Sequence, residues 1–183
     1  MKAKLFFSLF TLLPLATFAW QGEVTVETPN TQLLLTAWEG GDLRQSYYGN
    51  KSATLQELRD GGCDLSFHAL PAFGTVDVVQ LPALQVQHFD GDLNLELKVT
   101  AYEVNDDARF KTHIFTMADK LMPLTVKVFY KAYKNVDIIE TWTEISHQEK
   151  KAITLKRFDS GHLTLRQNEV WVTHLHGNWA AEA

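Results

Sequence analysis

Apolar and polar residues alternate with period two along most of this chain. In Leu124–Ala132 the residues Leu124, Val126, Val128, Tyr130 and Ala132 share one face, and Thr125, Lys127, Phe129 and Lys131 fall on the other. This is the pattern of a strand with one buried face. Leu93–Tyr102 repeats it, with Leu93, Leu95, Leu97, Val99 and Ala101 opposite Asn94, Glu96, Lys98 and Thr100. Further strands are predicted at 24–28, 32–37, 45–48, 64–68, 83–88, 110–117, 138–146, 153–165 and 169–175. Turn residues punctuate them: Pro29-Asn30, Gly40-Gly41, Gly61-Gly62, Asp90-Gly91-Asp92 and Asn105-Asp106-Asp107. Only 53–59 suggests a helical turn. Many short strands without a long helical stretch predict an all-β fold, a large twisted antiparallel β-sandwich. Internal repeats, low-complexity segments and long linkers are not apparent. The last predicted strand runs almost to Ala183, so the sandwich is expected to be incomplete at its C-terminal end.

The first nineteen residues do not join this pattern. Lys2 and Lys4 precede an apolar run from Leu5 to Ala16, and Thr17-Phe18-Ala19 puts small residues where a leader is cut. The run is short of the ~20 residues that a bilayer-crossing helix needs. Residues 1–19 therefore read as a signal peptide, and 20–183 as one exported domain, periplasmic or extracellular, with no membrane association in the mature form. Removing Lys2 and Lys4 takes the formal charge from −5 to −7. An acidic chain without a basic cluster excludes nucleic acid as the expected partner. Cys63 is the single cysteine, so no internal disulfide forms, and its Gly-Gly-Cys-Asp turn suits an inert thiol.

Candidate chemistry is sparse. His174 and His176 lie two apart, and His162 or Asp159 could add a third ligand. Two histidines on a strand do not make a metal site, and no metal or other cofactor is expected. Asp159, Ser160 and His162 name a nucleophile set only superficially, because neighbours along a strand point apart. Asp77, Asp90 and Asp92 could supply paired carboxylates for glycoside chemistry. Asp90-Gly91-Asp92 is more simply a hairpin turn. Trp38, Trp142 and Trp171 suit packing. Trp179 follows His176-Gly177-Asn178 near the last turn, where it can face a partner or a sugar. Trp171 and Trp179 are expected to be more exposed than Trp142. No catalytic residue is assigned.

Three stretches together resemble a known family. "ALPAFGTVDVVQLPALQVQHFDGDLNLELKV", "FDSGHLTLRQNEVWVTHLHGNWAAE" and "ETPNTQLLLTA" followed by "QSYYGNK" are similar to segments of family 36 glycoside hydrolases, the α-galactosidase family. The likeness runs from about Val24 to Glu182. Pro71-Ala72-Phe73-Gly74, Pro82-Ala83-Leu84 and His176-Gly177-Asn178-Trp179 are specific in combination and weak singly. The resemblance implies an N-terminal sandwich followed by a (β/α)₈ barrel, whose Asp nucleophile and Asp acid/base hydrolyse terminal α-galactosides with retention. It lies wholly within the sandwich, so this chain alone is expected to be inactive and to meet the α-galactoside through the barrel. It allows a homo-oligomer for the intact enzyme, in which the sandwich approaches a neighbouring subunit's active site. Val76-Asp77-Val78-Val79-Gln80 departs from the family's charged loop, and the segment between Gly49 and Phe67 is short. Asp77, Asn178 and Trp179 remain the carbohydrate-contact candidates. Two other readings stay open: a free-standing carbohydrate-binding module, and an interaction protein with no sugar role.

Overall fold

The computed structural model describes residues 19–37, 40–51, 55–60, 67–73, 81–165 and 171. The leader to residue 18, Trp38, Cys63, Asp77, the 169–175 strand apart from Trp171, His174, His176, Asn178 and Trp179 lie outside the described residues.

Among the described residues ten strands and one short helix follow in order: β1 (Gly22–Glu27), β2 (Thr31–Ala37), β3 (Leu43–Asn50), α1 (Leu55–Asp60), β4 (Phe67–His68), β5 (Leu84–Gln87), β6 (Leu97–Asp106), β7 (Phe110–Asp119), β8 (Leu124–Tyr133), β9 (Ile139–His147) and β10 (Thr154–Phe158). They form an antiparallel sheet β1-β2-β3-β4, an antiparallel meander β6-β7-β8-β9 and a two-stranded sheet β10-β5. The inner faces of the two larger sheets meet in one core. Val24, Val26, Leu33 and Leu35 come from one side, and Val99, Phe115, Met117, Val126 and Val128 from the other. Leu84 and Val86 of β5 close it. The all-β sandwich predicted from the alternation is the architecture found.

Alternation accounts for most of the packing. Leu124, Val126, Val128, Tyr130 and Ala132 of β8 are all buried, as their spacing predicts. Phe129, placed on the polar face by the same count, is also buried, its ring stacked on Trp142 of β9 at 4.5 Å and 7° between planes. Cross-strand pairing of Phe129 with Trp142 brings these rings together, so the outer face of the meander carries an apolar stripe.

The predicted 93–102 strand slides toward the C-terminus. Asp92 Oδ1 accepts hydrogen bonds from the Leu93 N–H (2.7 Å) and the Asn94 N–H (3.1 Å), and Asp119 Oδ1 from the Glu96 N–H (2.7 Å). Carboxylates thus occupy donors that a ladder would otherwise use, and β6 begins at Leu97. A bulge between Val99 and Ala101 then turns Tyr102, rather than Ala101, onto the core. The turn expected at 105–107 comes later: Asn105 and Asp106 still pair with Thr112 and Lys111. Asp107 Oδ1 forms the turn by accepting from the Arg109 N–H (2.7 Å) and the Phe110 N–H (3.0 Å). The long strand predicted at 153–165 is shorter too, since β10 stops at Phe158.

Two polar ties hold the layers in register. Asp137, after β8, accepts from Thr28 Oγ1 (2.8 Å), the Asn30 N–H (2.8 Å) and Asn30 Nδ2 (2.7 Å), joining the β1–β2 turn to the β8–β9 turn. At the chain's start, the Trp20 N–H donates to the Val99 carbonyl (2.9 Å), and the indole packs on Tyr102 and Phe115. Trp20 is therefore part of the aromatic core.

Candidate functional site

Two cross-strand pairs face each other between the large sheets. Leu33 pairs with Tyr48 across β2 and β3, and Tyr130 with Thr141 across β8 and β9. Between them lies a pocket of about 230 Å³. Leu33, Ile139 and Leu163 supply apolar walls, and Tyr48, Tyr130 and Thr141 bring hydroxyls. Gly161, His162 and Leu163 cross its rim. Gln45 ties this strap to β3: its Nε2 donates to the Thr164 carbonyl at 2.7 Å, and its Oε1 accepts from the Thr164 N–H at 3.2 Å. The Gln45 amide thus acts as a rung of ladder between β3 and a segment that is not a strand. Its burial is compatible with stability because both ends are bonded.

The electrostatics of the pocket are neutral. Among the described residues its lining contains no Lys, Arg, Asp or Glu. Burial depresses the His162 pKa, with the Asp159 charge opposing it only in part, so the ring is uncharged at neutral pH. Burial raises the Tyr130 pKa, so its phenol keeps its proton. Tyr130 is 6 % exposed, and its hydroxyl makes no hydrogen bond among the described residues. A buried phenol ordinarily finds a partner.

The sequence candidates that fall on described residues are not brought together. Asp159 is held in a bidentate pair with Arg157, Nε to Oδ1 at 3.1 Å and Nη2 to Oδ2 at 3.0 Å. His162 lines the pocket instead. Asp90 and Asp92 build a turn, though not the predicted hairpin, since β5 and β6 on either side belong to different sheets: the Asp92 N–H donates to Asp90 Oδ1 at 3.1 Å, and Gly91 takes a positive φ of 94°. Hydrogen bonds from Asn94 and Leu93 hold the Asp92 carboxyl below its ordinary range, which suits a turn anchor rather than a proton donor. No group of three or more metal-ligating side chains occurs among the described residues. Trp171 is 93 % exposed while Trp142 is part-buried, in the expected order.

Sequence reasoning missed the pocket hydroxyls. The available signal was Tyr130, the one polar-tipped residue in an otherwise aliphatic inner stripe. It also missed a buried ion pair outside the pocket. His88 Nδ1 lies 2.7 Å from Glu149 Oε1, and both side chains are fully shielded from solvent. His88 Nε2 faces the Asn94 carbonyl at 3.1 Å, and Glu149 Oε2 accepts from the Phe89 N–H at 3.0 Å. This pair pins the 88–94 turn to the β9–β10 connection. It is architectural, since every polar atom in it is engaged within the protein.

A family model described as the glycosyl hydrolase family 36 N-terminal domain matches residues 32–183. The chain belongs to that family. The family 36 fold is also visible in solved structures. GH36 α-galactosidase AgaA from Geobacillus stearothermophilus is similar at TM-score 0.66 and 17 % identity, over 76 % of this chain and 24 % of that one. The α-galactosidase from Lactobacillus brevis matches at TM-score 0.64 and 17 % identity, over 77 % and 23 %. The galactosidase domain of the α-galactosidase-sucrose kinase AgaSK matches at TM-score 0.63 and 19 % identity, over 75 % and 24 %. A search of the curated proteins gives no match. This family 36 chain thus spans about a quarter of the length of the α-galactosidase chains it resembles. The sandwich, not a catalytic pair of carboxylates, is what it shares with them.

Proposed function

We propose that this chain serves as the N-terminal β-sandwich of an exported α-galactosidase, a retaining hydrolase of terminal α-galactosides whose acid pair sits on a separate catalytic barrel. The observation that carries this reading is the family 36 N-terminal match over residues 32–183. Support for the substrate class comes from AgaA variants solved in complex with raffinose and with stachyose. Glycoside hydrolysis of this type needs two carboxyl groups about 5–5.5 Å apart on either side of the bond. Among the described carboxylates, Asp159 is engaged by Arg157, Asp90 by a turn, and Asp42 and Asp106 by Lys98 and Lys134.

Export rests on the leader pattern of residues 1–19.

The test is to express the gene with and without the coding sequence that follows it, using an aryl α-galactoside. The extended product should turn over the substrate, and deletion of residues 20–183 from it should abolish that activity. The purified chain alone should show none. Turnover by this chain alone, lost on mutation of one of its own Asp residues, would overturn the reading.

A further inference from the structure

We propose that the pocket between the two sheets is a binding site for a single uncharged pyranose ring, carried by the sandwich itself. The inference goes beyond the galactosidase reading and does not depend on it, because every group invoked belongs to this chain. Tyr48, Tyr130 and Thr141 line one space; Tyr48 and Thr141 are exposed, so water reaches them, whereas Tyr130 is 6 % exposed. Each hydroxyl is both a donor and an acceptor, which matches the ambivalent hydroxyls of a sugar. Leu33, Ile139 and Leu163 offer apolar surface for the C–H face of such a ring. The described lining residues carry no charge, which disfavours anions and cations alike, because neither finds a counter-charge among them to offset its desolvation.

Size narrows the choice further. The 230 Å³ volume lies below the ~300–1,000 Å³ of sites for drug-sized ligands, so one ring fits better than an oligosaccharide. Water is a poor permanent occupant: at ~30 Å³ each, about eight molecules would share the hydroxyls of Tyr48, Tyr130 and Thr141. Waters so weakly held are displaced favourably by a ligand that supplies both hydroxyls and apolar surface. Tyr130 gives the site its specific anchor. Its phenol is more than nine-tenths buried, lies on a rigid central strand and otherwise lacks a partner.

The experiment is titration of the full chain with D-galactose and, separately, D-glucose, followed by calorimetry or by shifts of the tyrosine ring signals. Saturable binding of either sugar supports the site, and preference for galactose would tie it to the sugar of the proposed enzyme. Tyr130→Phe, which removes only the hydroxyl, should weaken binding about tenfold, the worth of one good hydrogen bond. Gly161→Leu is the second variant. Its backbone is not left-handed, and a Cβ there meets only Thr141 Cγ2 at 3.8 Å, so the longer side chain fills the pocket without strain. It should abolish binding with the melting temperature retained. Failure of both sugars to saturate, or equal affinity in the parent and in Gly161→Leu, overturns the proposal. Loss of α-galactosidase activity from the extended gene product would count against the enzyme reading only.

Discussion

Replacing Glu149 by Gln tests the buried His88 pair most directly. Both His88 ring nitrogens face acceptors, Glu149 Oε1 at 2.7 Å and the Asn94 carbonyl at 3.1 Å. An ionised carboxylate and a carbonyl cannot donate, so both bonds form only with the imidazolium. Burial pulls the His88 pKa down, but the Glu149 hydrogen bond and charge, the Asn94 carbonyl and the Asp119 charge carry it above its ordinary 6.5. Burial pushes Glu149 up, yet hydrogen bonds from His88 and the Phe89 N–H, with charge from His88 and His147, hold it below 4.5. A raised His pKa contributes stability that is complete below pH 6.5 and is lost as pH rises through the folded value. A lowered Glu pKa contributes stability that is complete above pH 4.5 and is lost as pH falls through the folded value. The pair therefore supports the fold most strongly between those limits.

Breaking a buried pair by removing one partner costs ~3–5 kcal/mol. The pair lies beneath connecting segments rather than at mid-sheet, so the lower end applies. At ~2–4 °C per kcal/mol for a chain of this size, Glu149→Gln should lower the melting temperature by about 6–12 °C near pH 5.5. Urea unfolding from about pH 5 to 9 should show the gap between parent and variant narrowing on the alkaline side as His88 loses its proton. A gap that stays flat across that range, or a loss under about 1 kcal/mol, would refute the imidazolium assignment.

Two further outcomes follow from the packing. Phe115, fully buried among Trp20, Tyr102 and Tyr130, should lose about 3–5 kcal/mol as Phe115→Ala, with a red shift of Trp20 emission, both read in a urea titration. Gly91→Ala should cost ~1–2 kcal/mol from backbone strain alone, since φ is +94° and a Cβ would touch nothing within 4 Å. Gly161→Ala, with an ordinary backbone, is the neutral control for that measurement.

The inner faces of the strands were legible because one rule governs them: an apolar residue every second position must be buried. The inner face of β8 follows it from Leu124 to Ala132, with Phe129 buried on the other face as well, and the fold class follows from the number of such strands. Strand ends were less legible. At Leu93–Glu96 the winners were side-chain carboxylates, which take backbone N–H groups from the ladder without disturbing the apolar count. The bulge at Thr100 is likewise silent in the alternation, and it moved Tyr102 rather than Ala101 inward. The pocket was hidden for another reason. Its groups come from β2, β3, β8, β9 and the 161–163 strap, and no local spacing relates Tyr48 to Thr141. Asp77, Asn178 and Trp179 lie outside the described residues, so family resemblance alone speaks for them.

The Gln45–Thr164 clamp has a kinetic consequence. It joins positions 119 residues apart, whereas the β6–β9 meander is built from hairpins closing over short loops. Loop-closure entropy rises only slowly with length, so distance alone does not weaken the clamp once the sheets exist. During synthesis from the N-terminus, however, the rim of the pocket stays open until Thr164 has emerged, after both walls are in place.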